Sequence, residues 1–196
     1  MKTLVLFDFD GTMTYEDSSN AFFKFIYTSK VKYLFFNYIL CFKELLFLGL
    51  KLSNYLILKK KRLSIHTSKF NNYQLEFLSS EFRSKVFDQI LIPNAINKLF
   101  WHKNQGHDIW IVSASYDFIL EKWASKIEVN VLTNKTFFDN KTRIIVGNDV
   151  NFEEKVNRLR NLINLDEFQE VYAYGDSEGD KYMLEIATRK FYRFFN

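Results

Sequence analysis

The run Lys2-Thr3-Leu4-Val5-Leu6-Phe7 is almost wholly apolar and stops at two aspartates, Asp8 and Asp10. A strand that presents apolar side chains on both parities must be covered on both faces. Its polar end is then left as the place where chemistry can gather. From Pro93 onward the same kind of run returns at intervals. Asp108 to Val112, Val129 to Leu132 and Val171 to Tyr174 read as strands. Helices are expected between them: one opened by Pro93 and closed at Asn104-Gln105-Gly106, then Tyr116 to Lys126, Phe152 to Ile163 and Lys181 to Ala187. A hairpin is expected around Asp139-Asn140, and a last strand at Phe191 to Phe194. Strands alternating with helices imply an α/β fold, a Rossmann-like parallel sheet with helices on both faces.

Between about Tyr15 and Asp88 the texture differs. Aromatic and aliphatic stretches are broken by lysines, with no proline and one glycine, Gly49, so the segment reads as helical. From Ser18 to Gln74 there are ten Lys and Arg against one acid, Glu44, within a chain of net charge +4. Any basic partner surface lies there. Lys43, Glu44 and Lys51 interrupt its apolar stretch, and central charges cost about 2.5–3.5 kcal/mol each in a bilayer, so a membrane span is not favoured. At helical spacing Lys32, Asn37, Lys43, Glu44, Lys51 and Asn54 share one side. The remaining apolar faces either pack internally or lie, with the basic residues, on anionic lipid.

Other chemistries find little support. Cys41 is the single cysteine, so no internal disulfide forms, which suits a reducing compartment. It has no histidine near it in sequence and reads as core. His66, His102 and His107 show no metal-ligand spacing and are expected at the surface. No glycine-rich nucleotide loop is present, and no nucleic-acid partner is indicated. The amino terminus reads as a strand rather than a signal peptide, giving an expected cytoplasmic location, with peripheral contact at the inner membrane face as an option.

Four polar groups fall where ligands bind in open α/β sheets, beyond the carboxyl ends of strands. They are Asp8-Phe9-Asp10-Gly11-Thr12, Ser113 after the run to Val112, Lys155 in the first turn of a helix, and Gly175-Asp176-Ser177-Glu178-Gly179-Asp180. Read singly, each has an ordinary structural explanation as a turn, a cap or a surface residue. Together and in this order they resemble the haloacid dehalogenase superfamily, and its phosphoserine-phosphatase-like subfamily IB most of all. Bacterial phosphatidylglycerophosphate phosphatases are also similar, with an apolar, basic insertion.

The resemblance implies a catalytic core of residues 1–13 and 89–196 with an inserted helical cap, residues 14–88. It implies Asp8 as nucleophile and Asp10 as acid and base. Thr12, Ser113 and the backbone at Ala114 would bind phosphoryl oxygens, and Lys155 would neutralise charge. Mg²⁺ would be held by Asp8, the Asp10 carbonyl and Asp176, with Asp180 supporting Lys155 or a metal-bound water. Physical chemistry agrees: clustered carboxylates facing a phosphate need a hard cation, and phosphoryl transfer is mostly positioning and charge stabilisation.

Three positions depart from the family. Asp17 stands where a glutamate meets the substrate amine in phosphoserine phosphatases. Phe152 stands where a glycine often precedes the lysine, and Gly179 replaces an asparagine. The expected activity is Mg²⁺-dependent hydrolysis of a phosphomonoester, on a small metabolite or a lipid head group. A phosphotransferase using the same aspartyl-phosphate, and a membrane-surface module with a vestigial site, are the alternatives. Arg83 is a further basic residue near the cap's end, either meeting a substrate anion or simply exposed.

Overall fold

A computed structural model of the chain describes residues 2–27, 29–50, 55–139 and 142–195. Five parallel strands form the sheet in the order β3-β2-β1-β6-β7. They are β1 (Thr3–Phe7), β2 (Asp108–Tyr116), β3 (Asn130–Asn134), β6 (Glu170–Gly175) and β7 (Arg189–Tyr192). A separate antiparallel pair, β4 (Thr136–Asp139) and β5 (Thr142–Ile145), is the expected hairpin. Its turn at Asn140 lies outside the described residues.

The first strand is central and fully buried. Val5 and Phe7 join one core cluster, with Ala95, Leu99, Ile119 and Leu120. Leu4 and Leu6 join the other, with Val156, Leu159 and Met183. The helices supplying these residues therefore cover opposite faces: α7 (Pro93–Asn104) and α8 (Asp117–Lys126) on one, α9 (Glu153–Leu162) and α10 (Lys181–Glu185) on the other. Proline opens α7, where its missing N–H has no intrahelical partner to lose. Gly106 follows at φ +72°, a left-handed conformation suited to a helix end.

Between β1 and α7 the chain is helical: α1 (Ser18–Phe25), α2 (Lys30–Leu34), a π-helical turn (Phe35–Ile39), α3 (Phe42–Gly49), α4 (Tyr55–Thr67), α5 (Asn72–Lys85) and α6 (Phe87–Ile90). Asp17 caps α1 by accepting from the Asn20 N–H at 2.6 Å, and Asn71 with Gln74 makes a capping box on α5. Phe22, Phe23, Leu63 and Phe82 of this segment join the core cluster that holds Val5 and Phe7.

The π turn breaks the expected single polar side. Asn37 is buried, whereas Lys32 and Lys43 are exposed beside exposed Val31, Phe35, Ile39 and Phe42. Lys51 and Asn54 lie outside the described residues. A π turn adds a residue to the local repeat, which rotates everything after it.

The histidines also correct the expectation of surface placement. His66 and His102 are completely buried and His107 is half-buried. Each buried ring finds polar partners for both nitrogens. His66 Nδ1 lies 3.0 Å from the Tyr27 hydroxyl and Nε2 3.4 Å from Asn37 Oδ1. His102 Nε2 lies 2.9 Å from the Tyr174 hydroxyl, and its Nδ1 meets His107 Nδ1 at 2.9 Å. A hydrogen-bonded neutral imidazole can be buried without large cost. Burial, then nearby cations, pulls both His66 and His102 down to about 3. Cys41 is buried, as expected.

Candidate active site

Each polar group is delivered by a strand end. Asp8 leaves β1, its N–H donating to the Tyr174 carbonyl of β6 at 2.9 Å. Asp176 leaves β6 after Gly175, where a β-carbon would lie 2.6 Å from Cβ of Asp180. The strand β2 runs on to Tyr116, so Ser113 and Ala114 lie within it rather than after it. Its pairing with β3 is irregular between Val112 and Tyr116.

Lys155 comes from the first turn of α9. The residue before that helix, Phe152, sits at φ +51° and is half-exposed. A bulky side chain in that backbone region is strained, which is the physical reason a glycine suits the position.

These groups converge. Lys155 Nζ donates to Asp8 Oδ1 and to Asp180 Oδ1, each at 2.5 Å, and all three side chains are buried. Carboxylate oxygens of Asp8, Asp176 and Asp180 lie within 4.8 Å of one another. Asp180 is fixed from behind: its Oδ2 accepts from the N–H groups of Asp176 and Ser177, both at 3.1 Å, and from the Ser177 hydroxyl at 3.0 Å. Thr12 donates its hydroxyl to Asp176 Oδ1 at 3.1 Å. Asp10 accepts the Ser18 N–H at 2.7 Å. Asp17 lines the same cavity as Asp10.

Among the described residues one ammonium, Lys155, is bonded into this group of three carboxylates, and the titration of the group reflects that. Burial pushes Asp8 up to about 7 against the pull of Lys155, with Asp180 and Asp176 adding to the rise. Burial also lifts Asp176. Asp10 is pushed well above the usual carboxylate range, by burial first and then by the charge of Asp17. Asp180 is buried too, yet Lys155 and the hydrogen bonds outweigh this and hold it low. Lys155 in turn is raised: burial opposes its charge, but Asp8 and Asp180 prevail. The surplus negative charge, on hard oxygen donors alone, fits a divalent cation of the Mg²⁺ or Ca²⁺ kind.

The cluster opens into a cavity of about 200 Å³. Asp8, Asp10, Asp17, Ser113, Ala114 and Lys155 line it. Thr12, Asp176 and Asp180 do not, and stand behind. Arg83 is not among its lining residues. Its guanidinium is largely buried, donating to the Phe118 carbonyl at 2.8 Å and to Glu76 at 3.1 Å, which corrects the expectation that it is exposed or free for an anion.

Sequence reasoning missed several lining residues: Tyr55, Lys59 and Arg62 from α4, and Asn151 before α9. Lys59 and Arg62 belong to the basic run already noted. Their spacing of three puts them on one helical face, a signal that was present in the sequence. Nothing in the sequence set that face toward Asp8. Asn151 also explains Gly179: a β-carbon at 179 would collide with Asn151 Oδ1.

The model of the haloacid dehalogenase-like hydrolases matches residues 5–185, nearly the whole chain. The protein belongs to this family. Members of the family are hydrolases. Protein CicA of Caulobacter vibrioides is 32% identical over 203 residues, covering 98% of this chain and 86% of that protein.

Among solved structures, a protein of unknown function from Bordetella pertussis Tohama I superposes with a TM-score of 0.83 at 21% identity, covering 97% of this chain and 89% of the other. A substrate-bound phosphoserine phosphatase complex gives 0.68 at 17% identity, covering 98% and 86%. A phospho-aspartyl intermediate analogue of phosphoserine phosphatase gives 0.64 at 18% identity, covering 96% and 85%. At these identities the likeness is one of fold. It shows the Rossmann-like α/β fold, as expected.

Proposed function

We propose that the protein is a Mg²⁺-dependent phosphatase that hydrolyses a phosphomonoester through an aspartyl-phosphate on Asp8. The observation that carries this is the buried Asp8–Lys155–Asp180 array beside Asp176, at the floor of a cavity that Asp10 and Ser113 also line. Solved phosphoserine phosphatases of like fold, one with a phospho-aspartyl intermediate analogue, lend support.

In the first step an Asp8 carboxylate oxygen bonds to phosphorus. The ester P–O bond breaks, and the leaving alkoxide takes the proton of Asp10. In the second, Asp10 takes a proton from water, the water oxygen bonds to phosphorus, and the phosphorus–Asp8 bond breaks to release phosphate. The raised titration of Asp10 suits a group that must be acid and then base. Lys155 offsets the charge of Asp8 and the incoming phosphate. The Ser113 hydroxyl and backbone at Ala114 receive phosphoryl oxygens, and Thr12 holds Asp176 in place. Mg²⁺ bound by Asp8, Asp176 and the Asp10 carbonyl would stabilise charge on the transferring group. The helical segment, residues 14–88, acts as a cap on a core of residues 1–13 and 89–196.

The cap also supports a lipid-phosphate reading of the substrate. Asp17 and Arg62 line both the Asp8 cavity and a larger groove of about 860 Å³, where Tyr27, Tyr33, Leu34, Tyr38 and Leu45 are found. Outside it, Val31, Phe35, Ile39, Phe42 and Leu50 are exposed, as are Lys32 and Lys43. Such a surface suits peripheral contact with an anionic membrane. Among the described residues no helix is long and apolar enough to cross one.

The test is trapping. Acid-quenched enzyme mixed with an aryl phosphate and Mg²⁺ should carry phosphate on Asp8, and Asp8→Asn should fold yet carry none. Turnover that survives Asp8→Asn, or that ignores chelation of Mg²⁺, would end the proposal. Transfer of phosphate to an added alcohol in preference to water would make the enzyme a transferase. Flotation with vesicles containing anionic lipid, and not with neutral ones, is expected of the cap.

A further inference from the structure

Lys59 reaches out of the helical segment into the core and binds the backbone next to Ser113. Its Nζ donates to the Ala114 carbonyl at 2.6 Å and to Asp149 Oδ1 at 2.7 Å. The side chain is about nine-tenths buried, as is that of Asp149. The same two acceptors are met from the core side by Asn134. Its Nδ2 donates to the Ala114 carbonyl at 2.7 Å and to Asp149 Oδ1, while its Oδ1 accepts the Val150 N–H at 2.8 Å. Tyr116 completes the closure, donating its hydroxyl to the Lys59 carbonyl at 3.4 Å, with its ring centroid 5.8 Å from Nζ.

The position of this knot matters more than its strength. The Ala114 carbonyl shares its peptide group with the Ser115 N–H. Two donors on that oxygen, one of them a cation, withdraw electron density and sharpen the N–H as a donor. The Ser115 N–H donates to the Ser113 Oγ at 3.0 Å. A hydroxyl that accepts on that side must turn its own proton elsewhere, and Ser113 lines the Asp8 cavity. The peptide plane therefore transmits the charge of Lys59 to the orientation of the Ser113 hydroxyl.

From this geometry we infer that Lys59 is a positioning residue, making the Ser113 hydroxyl ready for a phosphoryl oxygen only while the helical segment lies against the core. The inference rests on the reading of Ser113 as a phosphate ligand. It adds a link that reading lacks: docking of the segment and phosphate binding become one equilibrium, since Lys59 supplies both the cross-segment ion pair and the second donor on the Ala114 carbonyl.

The test uses the full chain with Mg²⁺, and inorganic phosphate as the probe, measured by calorimetry. Wild type, Lys59→Met, Lys59→Arg, Ser113→Ala and the double variant Lys59→Met/Ser113→Ala are compared, and melting curves confirm that each is folded. Lys59→Met is expected to weaken phosphate binding about tenfold, the size of one charge-assisted hydrogen bond. Lys59→Arg should recover most of that loss. In the Ser113→Ala background the Lys59→Met change should cost little more, because both act through one hydroxyl.

Equal phosphate affinity in wild type and folded Lys59→Met overturns the inference. So does a full tenfold loss that persists without the Ser113 hydroxyl. Should Lys59→Met not fold, Asn134→Leu removes the other donor on the same carbonyl. A loss of affinity that depends on Ser113 then supports the relay, and unchanged affinity overturns it. Failure of the underlying reading looks different: wild type itself would bind no phosphate.

Discussion

Gly11 and Asp176 are in contact across the site: a β-carbon on Gly11 would fall 2.6 Å from Asp176 Oδ2, and the Gly11 backbone sits at φ +86°. Both facts forbid a side chain there. Gly11→Ala is expected to cost about 1–2 kcal/mol in backbone strain alone. It should also displace Asp176 from Thr12 and from the acid cluster. A shift near 1 Å at such a site can cost about 10²-fold in rate. Chemical denaturation and kcat on an aryl phosphate check both effects. A variant with wild-type kcat would show that the place of Asp176 is immaterial.

Asp17 lifts the titration of Asp10, after burial itself. Asp17→Asn keeps an oxygen to cap α1 and removes the charge. In the proposed mechanism the first step needs protonated Asp10, so kcat should fall as pH rises through its pKa. Without the Asp17 charge that pKa drops, and the falling limb should move to lower pH. The pH profile of kcat for the two proteins decides; an unmoved limb would remove Asp17 from the electrostatics of Asp10.

Lys155 is the one described cation bonded to Asp8 and Asp180. Lys155→Met fills similar space and leaves both buried carboxylates without their partner. Breaking a buried pair in this way costs about 3–5 kcal/mol. The loss should be larger in chelator than in Mg²⁺, because a bound dication would take over part of the compensation. Urea melts under the two conditions test this. Equal destabilisation in both would argue that no cation sits among these acids.

His66 predicts acid sensitivity. Its ring is held neutral, pulled to about 3 by burial, with Arg62 and Lys69 assisting, against an unfolded value near 6.5. A depressed native pKa means the unfolded chain takes up the proton first. Stability is therefore full above about 6.5 and falls as pH drops toward 3, by roughly 1.4 kcal/mol for each pH unit. His102 adds a second, similar term. Asp8 works in the opposite sense, since its native value is raised to about 7. The comparison is thus between wild type and His66→Gln, by urea melts from pH 7 to pH 4. The variant should lose stability less steeply; parallel curves would show that His66 does not titrate on unfolding.

Much of the candidate site was legible because its signals are local. A strand end followed by Asp8 and Asp10, a second followed by Asp176 and Asp180, and a helix start carrying Lys155 each need only a few neighbouring residues to be recognised. The sheet then brings them together by topology, since parallel strands put all their carboxyl ends on one edge. The bounds of β2 were misjudged at Ser113 because its pairing with β3 is interrupted after Val112 and resumes only at Tyr116. The histidines were misplaced because what buries them is a hydroxyl or an amide far away in the chain, Tyr174 for His102, Tyr27 and Asn37 for His66.

By itself, then, the order of residues determined the parallel α/β core and the acids and lysine at its active edge, through hydrophobic patterning that repeats over a few residues. Tertiary structure alone decided which face of α4 meets that edge. A π turn at Phe35–Ile39 shifts the helical repeat of the residues that follow it, and no periodicity in the sequence announces the turn. Lys59 and Arg62 enter the cavity, and Lys59 meets the Ala114 carbonyl, because packing of Phe23 and Leu63 fixes where the helix lies. Packing is a sum over residues distant in the chain, so its outcome cannot be read from any one stretch.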